Sequence, residues 1–364
     1  MSTQESHRAS KEARLAVGLS TAPVSAQETA MQRYLSANDY ESAHLSARPV
    51  QAPSNTAGAG PHGQQIIENP SRTGSLVVAG VDGSSCARHA AEWAATEAVH
   101  RHAQLKLVHA YHLPPTRAAG YHPYPPHLLT DLREDGTAVL SDTTAALHRR
   151  FPDLQITSSL TYGDPVTVLR HASGSATLTV VGTHGRNRTT VALGSVAASV
   201  AATSPSPVAV IHPGEINRNG PVVVGVDGSP TGKAALSYAF QAAADRHATL
   251  IAVHCWTDPS IDSPVPAHPA GVVDPTATQA EEQHRLAHEL ADMVAQYPGL
   301  QVKQTVVHDQ PADGLLRFAP TAQLIVAGSH GHRGITGLLL GSTSQALIAG
   351  SSCPVVIARP TPTS

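Results

Sequence analysis

An internal duplication constrains the fold of this chain more than any other feature of the sequence. Two of the recurring pairs are LVVAGVDGSS (76–85) with VVVGVDGSP (222–230), and VVGTHGRNRTTVALGSVAAS (180–199) with VAGSHGHRGITGLLLGSTSQ (326–345). Asp82 and Asp227 are 145 positions apart, as are His109 and His254. Solenoid and propeller repeats are only about 20–50 residues long, so this period predicts a duplicated domain.

The repeats divide the chain into three parts. We call residues 74–213 module 1 and residues 220–360 module 2, each predicted as one domain. Residues 1–73 have no counterpart in the repeat and few large apolar residues, and they include the linker-like run ARPVQAPSNTAGAGPHG. Such a composition favours disorder, so we predict a disordered N-terminal extension.

Within each module, short β-branched runs alternate with longer helical patterns. In module 2 the strand-like runs are VVVGV, LIAVHCW, VKQTVV, LIVAG and PVVIA. A helical pattern before the third run places Leu286, Leu290, Met293 and Val294 on one apolar face. The alternation predicts an α/β fold with a doubly wound, five-stranded parallel sheet in each module. Ligands of such sheets bind at the carboxyl ends of the strands.

Composition excludes several classes of partner. Lys and Arg number 24 against 27 Asp and Glu, a net charge of −3, so broad electrostatic binding of nucleic acid is not expected. The three cysteines are far apart in sequence, which argues against a disulfide scaffold and favours a reducing compartment. We find no signal peptide and no apolar run long enough to span a membrane, and we expect a cytoplasmic protein without a membrane partner.

Histidines are numerous, at 22, but their pattern does not predict a metal site. His284 and His288 lie four apart on one predicted helix face and are the best candidate pair. The Glu that follows the first His in HExxH motifs is missing, and no third ligand is evident. A solvated helix face is the favoured interpretation, and no metal ligand is assigned.

The glycine-rich segment GSHGHRGITGLLLGST (328–343) predicts an anion site. Gly328 ends a strand-like run, and Gly341 precedes a helical one that begins with Ser342 and Thr343. Glycines let backbone N–H groups converge, and a helix N-terminus adds unpaired N–H groups and partial positive charge. A nucleotide's phosphates fit this chemistry best. The alternative is a tight turn in which the glycines serve packing alone.

The segment VDGS (226–229) ends the first strand-like run of module 2. In a doubly wound sheet the first and fourth strands meet at the switch point, so Asp227 is expected near the glycine-rich segment. Its carboxylate could accept hydrogen bonds from ribose hydroxyls or from a base. Alternatively, it caps the turn or the following helix.

Together, these motifs resemble those of the universal stress protein family. Its ATP-binding members carry Gly-x2-Gly-x9-Gly-Ser/Thr after the fourth strand and an Asp after the first, and module 2 matches both. The resemblance implies a parallel sheet of order 3-2-1-4-5 and an ATP site, with or without Mg2+, in each competent module. In module 2 the implied site residues are Asp227 and Val253 at the ribose and adenine, and Gly328, His330, Gly331, Gly341, Ser342, Thr343 and Ser344 around the phosphates.

Module 1 departs from this pattern in its loop. Only eight residues separate Gly185 from Gly194, against nine in module 2, and the counterparts of Gly334 and Gly337 are missing. The implied site residues of module 1 are Asp82, Val108, Gly182, His184, Gly185, Gly194 and Ser195. We predict that module 1 binds ATP more weakly than module 2.

The resemblance implies an ATP-binding, nucleotide-dependent regulator of the stress response. No catalytic residue is assigned, and at most slow ATP hydrolysis is expected. The expected partners are ATP and either the paired second module or a second copy in a homodimer, and no downstream protein partner is identified. Two alternatives are a nucleotide-independent interaction protein that pairs through its last strands and a weak adenine-nucleotide hydrolase.

Overall fold

The fold is described from a computed structural model of the chain. The structure describes residues 75–113, 124–125, 127–185, 194–214, 217–257, 275–331 and 340–360. The predicted N-terminal extension, 1–73, lies outside the described residues, as do the loop segments 186–193 of module 1 and 332–339 of module 2.

Strands and helices alternate through both modules. In module 1 the order is β1 (Leu76–Gly80), α1 (Ser85–His100), β2 (Gln104–Tyr111), α2 (Leu128–Arg150), β3 (Ile156–Tyr162), α3 (Pro165–Ser173), β4 (Leu178–Gly182), α4 (Ser195–Thr203) and β5 (Val208–Ile211). In module 2 it is β6 (Val222–Gly225), α5 (Pro230–Asp245), β7 (Leu250–Trp256), α6 (Pro275–Gln296), β8 (Val302–His308), α7 (Pro311–Leu316), β9 (Leu324–Gly328), α8 (Ser342–Gly350) and β10 (Val355–Ala358).

The strands form one ten-stranded sheet of order β3-β2-β1-β4-β5-β10-β9-β6-β7-β8. Each half has the predicted order 3-2-1-4-5, and all pairings within a half are parallel. The halves join through β5 and β10, which pair antiparallel with Ala209 opposite Val356. The predicted α/β fold with five-stranded parallel sheets is therefore confirmed, and the last strands of the two modules pair with each other.

Helices cover both faces of the sheet, which explains why the central strands are apolar throughout. Every residue of β5 and β10 is buried. Helices α1 and α5 press alanines against the sheet, and small side chains permit a close approach. On α6, Leu286 and Leu290 are buried and Met293 packs on the core, but Val294 is 40% exposed. Tyr297, immediately after α6, packs on the core next, so the predicted placement of Val294 on the buried face was wrong.

A buried ion cluster lies where α1 of module 1 meets the end of α5 of module 2. The Glu97 side chain, 1% exposed, accepts from Arg101 Nε at 2.5 Å and from Arg246 of module 2. Arg101 also stands over the ring of Tyr238, 4.8 Å from its centroid. Burial raises the pKa of Glu97, but the two guanidinium groups outweigh it, so the pKa lies below its usual value.

The structure also bears on membrane spans and on disulfides. Among the described residues, no helix is both long enough and apolar enough to cross a membrane. Cys86, Cys255 and Cys353 are all free thiols.

Candidate functional site

The predicted site residues of module 1 converge at the carboxyl ends of β1, β2 and β4. This happens because β1 pairs with both β2 and β4, so the residues at the carboxyl ends of these strands are neighbours. They enclose a cavity of about 480 Å3. All seven predicted residues line it: Asp82, Val108, Gly182, His184, Gly185, Gly194 and Ser195.

The aspartates after β1 and β6 cap their turns through one carboxylate oxygen. Asp227 Oδ1 accepts from the backbone N and the hydroxyl of Ser229, at 3.0 and 2.7 Å. Asp82 Oδ1 accepts from Ser84 N at 2.9 Å. The capping interpretation of these aspartates is thus correct for Oδ1.

The second oxygen of each aspartate faces the glycine-rich loop. A Cβ at Gly331 would lie 3.0 Å from Asp227 Oδ2, and one at Gly185 would lie 2.8 Å from Asp82 Oδ2. A side chain at either glycine would cover this oxygen. In module 2, capping and ligand binding are compatible because they use different oxygens of the Asp227 carboxylate.

Other glycines of the motif are needed for packing. A Cβ at Gly182 would lie 2.9 Å from Cys86 Sγ, and one at Gly328 would lie 2.9 Å from the carbonyl carbon of Thr231. These two glycines let the first turns of α1 and α5 approach the ends of β4 and β9. The packing interpretation thus explains the strand-end glycines, while Gly185 and Gly331 leave room beside the carboxylates.

Helices α4 and α8 begin at the site with glycine N-caps. Gly194 N donates to Thr183 O at 2.8 Å, and Gly341 N donates to Ser329 O at 2.9 Å, which closes the loop onto the strand end. Within the described residues, neither helix has a side-chain cap on its first turn. The N–H groups of each first turn are therefore oriented toward the site, where they can bind an anion.

A histidine follows the fourth strand of each module and is held by its neighbour. His184 Nδ1 lies 2.9 Å from Thr183 Oγ1, and His330 Nδ1 lies 3.1 Å from Ser329 Oγ. His184 lines the cavity, and its Nε2 is buried without a hydrogen-bond partner in the part of the chain that the structure describes. A buried polar atom in this position favours a polar ligand over an apolar one.

The structure also reveals a pair of site-supporting histidines that sequence reasoning missed. His109 Nδ1 lies 2.7 Å from Val81 O, and His254 Nδ1 lies 2.8 Å from Val226 O. Each histidine thus ties β2 or β7 to the residue before the capping aspartate. In module 2, His254 Nε2 also lies 3.0 Å from Glu282 of α6. Their equal spacing in the repeat was a signal, but it did not reveal their partner.

Comparison with known proteins agrees with this architecture. The sequence pattern of the Universal stress protein family matches the chain twice, at residues 76–212 and 219–359. The chain belongs to the universal stress protein family. A universal stress protein of Mycobacterium tuberculosis is 35% identical over 296 residues, which cover 78% of this chain and 96% of the relative. Another, from Mycolicibacterium smegmatis, is 33% identical over 311 residues, covering 81% and 100%.

A solved structure shares the fold. The crystal structure of a universal stress protein from Archaeoglobus fulgidus covers 79% of this chain and 99% of its own, at a TM-score of 0.59 and 19% identity. Membership of the universal stress protein family supports a role in the stress response.

The two universal stress protein modules differ in the first turn of the helix at the site. Module 2 has Ser342 exposed and Thr343 half-buried, whereas Ser344 is buried and donates to Gly328 O at 2.6 Å. The Ser344 hydroxyl therefore braces the strand end. In module 1, Ser195 is followed by Val196 and Ala197, so this turn offers fewer hydroxyl donors.

The two valines predicted to line adenine are the least accessible of the predicted residues. Val108 is 2% exposed and pairs with Gly80, and Val253 is 1% exposed and pairs with Gly225. Both lie beside the end of the strand that carries the aspartate. In module 1, Val108 forms part of the cavity wall.

Proposed function

We propose that each module binds ATP at the carboxyl edge of its half-sheet, and that the chain acts as a nucleotide-dependent regulator of the stress response. One observation carries the proposal: the carboxylate of Asp82, the three glycines Gly182, Gly185 and Gly194, and an uncapped helix N-terminus line the same cavity in module 1. Its volume of about 480 Å3 lies within the usual range of ligand pockets, roughly 300–1,000 Å3.

The polar groups divide into two sets that fit the two ends of a nucleotide. Helix N-termini and hydroxyl donors, such as those of Ser342 and Thr343, suit phosphate oxygens. The Oδ2 atoms of Asp82 and Asp227 accept hydrogen bonds and so suit ribose hydroxyls or an amino group of the base. Val108 and Val253 supply apolar surface for adenine.

The residues fit binding better than turnover. Asp82 and Asp227 cap their turns through Oδ1 and in this proposal bind ribose or base through Oδ2, so neither is placed as a general base for a water that attacks the phosphates. The described residues contain no cluster of three His, Cys, Asp or Glu side chains. A Mg2+ ion would therefore be held largely by the nucleotide's own phosphates and by water. We expect any hydrolysis to be slow and regulation to follow from occupancy.

Calorimetric titration of the full chain with ATP tests the proposal, together with mass analysis of small molecules released from the purified protein. We expect saturable binding, and Asp227→Ala should weaken the tight site by about tenfold, or roughly 1.4 kcal/mol. Asp292→Ala, on the exposed side of α6, removes the same charge far from the site and serves as the control. Absence of ATP binding by the folded, unmodified chain would refute the proposal.

In the alternative, the chain is a nucleotide-independent interaction protein that pairs through its last strands. β5 and β10 already pair with each other within the chain and are buried on both faces. Their backbone groups are engaged in the sheet, so this pairing unites the modules.

A further inference from the structure

Each helix that begins at a candidate site is held at its other end by a side chain of the other module. Arg359 follows β10 in module 2, and its Nη2 donates to Ala201 O at 2.6 Å and Ala202 O at 2.5 Å, in the last turn of α4. His212 follows β5 in module 1, and its Nε2 lies 2.8 Å from Ile348 O, in the last turn of α8. A carbonyl only accepts, so His212 Nε2 carries the proton and donates it.

These contacts satisfy carbonyls that the helices leave without intrahelical partners. Ser204 N bonds to Val200 O at the end of α4, and Ser351 N bonds to Leu347 O at the end of α8. The next carbonyl along each helix is the one that receives the cross-module donor. A donor or cation at this end also matches the partial negative charge of a helix C-terminus.

Both residues also follow a strand that pairs with the glycine-ended strand of their own module. Ile211 pairs with Gly182 in module 1, and Ala358 pairs with Gly328 in module 2. Burial lowers the pKa of His212 and outweighs the opposing effect of its hydrogen bonds to backbone carbonyls. His212 is therefore neutral near pH 7 and donates through Nε2 to the end of α8.

Helices α4 and α8 are only nine residues long, or about 13 Å at 1.5 Å per residue. A helix this short moves as one body, so the position of its last turn determines where its first N–H groups point. We infer that Arg359 positions the phosphate-binding end of α4 in module 1, and that His212 positions that of α8 in module 2. Each site then depends on a residue of the other module, an inference that rests on the proposed ATP binding.

The two contacts differ in strength. Arg359 is a cation that bridges two carbonyls of α4, whereas His212 donates to Ile348 O of α8 from a neutral imidazole. Hydrogen bonds from charged donors are about twice as strong as neutral ones. The module 1 site should therefore depend more on Arg359 than the module 2 site depends on His212.

Site-resolved labelling of the full chain tests the crossed dependence. The probe is 8-azido-ATP, titrated under illumination, with labelled peptides from each module quantified by mass spectrometry. Arg359→Met should weaken labelling of module 1 by about fivefold, and His212→Phe should weaken labelling of module 2 by roughly threefold, as expected for charges and donors at helix ends. Labelling of the other module should change less than about twofold in each variant.

Two kinds of control separate positioning from general damage. Arg149→Met and His288→Phe make the same chemical changes at exposed positions of α2 and α6 and should leave both sites unchanged. His212→Gln, whose amide N–H can replace Nε2–H, should recover module 2 labelling. Equal losses in both modules, or a loss confined to the module that carries the substitution, would overturn the inference.

Hydrogen exchange gives a readout that does not depend on nucleotide. Amides of α4 that donate within the helix, from Ala198 onward, should exchange faster in Arg359→Met, and those of α8 from Gln345 onward should do so in His212→Phe. If the unmodified chain incorporates no label, ATP binding is refuted, and the exchange pattern alone decides the positioning roles. Unchanged exchange in both helices would then refute those roles as well.

Discussion

The two modules share a sheet order, a capping aspartate and a glycine-capped helix, yet they differ around these common features. Module 2 has a Thr and a second Ser in the first turn of α8, where module 1 has Val196 and Ala197 in α4. Module 2 also ties its loops together through Thr231, whose hydroxyl donates to His330 O. In module 1 the corresponding Cys86 contacts Thr183 Oγ1 and Ile211 O. A duplicated scaffold thus keeps the backbone arrangement while the polar groups around it diverge.

The interface between the modules is asymmetric in its charged groups. Module 1 supplies the buried acid Glu97, and its repeat counterpart in module 2 is Ala242, whereas both modules supply an arginine. One acid thus serves two guanidinium groups. The interface is therefore complementary between unlike modules, even though the sheet pairing itself is nearly symmetric.

The largest expected effect comes from removing that acid. Glu97→Ala leaves Arg246 and Arg101 buried without their carboxylate and should lower the free energy of unfolding by about 3–5 kcal/mol. Urea unfolding measures the loss. Glu92→Ala, which breaks an exposed pair with Arg150, should cost less than about 1 kcal/mol. A similar cost for both variants would show that the cluster contributes little.

The pH dependence of this cluster has a defined sign. The pKa of Glu97 is lower in the folded chain than its unfolded value, which is about 4.3. Its contribution is therefore fully present above that unfolded value and is lost as the pH falls through the lower folded pKa. The stability difference between the unmodified chain and Glu97→Ala should shrink below about pH 4.

The next effect tests which site is stronger. A Cβ at Gly341 would lie 3.2 Å from Ser329 O, where the first turn of α8 meets the end of β9. Gly341→Val should remove the tight ATP site, a loss of at least about 30-fold or roughly 2 kcal/mol. Gly194→Val should leave the tight site within about twofold. Calorimetric titration with ATP measures the affinity of both variants, and circular dichroism checks that each is folded. Loss of the tight site in Gly194→Val but not in Gly341→Val would assign that site to module 1.

Ligand-induced stabilisation sharpens the same contrast. ATP at about 100 times the dissociation constant of one site adds roughly 2.7 kcal/mol to the folded state. Because both modules share one sheet, we expect a rise in Tm of about 2–4 °C from each filled site. Two unequal sites should give two successive rises as the ATP concentration increases. A melting curve that saturating ATP leaves unmoved would contradict binding at both sites.

The smallest expected effect is an exchange of hydroxyls between the modules. Val196 lines the module 1 cavity, and Val196→Thr installs the hydroxyl that module 2 carries at Thr343. One added hydrogen bond should tighten the module 1 site by about threefold to tenfold, and Thr343→Val should weaken module 2 similarly. Calorimetric titration with ATP measures the change in affinity. Weaker binding by Val196→Thr and tighter binding by Thr343→Val would show that loop length outweighs the number of hydroxyl donors.

The fold was predictable because its determinants repeat along the chain. Alternating β-branched runs and helical patterns, found twice, predicted two five-stranded parallel sheets. The family resemblance implied their strand order. Val294 was misplaced since it borders the apolar stripe of α6, and only packing shows that Tyr297 extends this stripe. The pairing of β5 with β10 was one of two open possibilities, because a last strand can pair equally well within a chain or between chains.

The candidate site was predictable in its glycines and aspartates, whose roles depend on the backbone near them. The supporting contacts were not. His109 lies in β2, and its partner, Val81 O, is 28 positions away, just after the neighbouring strand β1. Arg359 and His212 occupy equivalent repeat positions but are different residue types, so nothing in the sequence marks their shared contact. The predicted weakness of module 1 stays a prediction, because residues 186–193 lie outside the described residues.

The antiparallel pairing of β5 with β10 has a consequence for how the chain could be divided. The modules are held together by a continuous ladder, a buried ion cluster and two crossed side-chain contacts, none of which requires the peptide that joins them. A chain cut between Pro213 and Asn219 should stay assembled as a two-piece complex. Separately expressed halves should then reconstitute it, which would let each half be isotope-labelled, mutated or fused to a reporter independently.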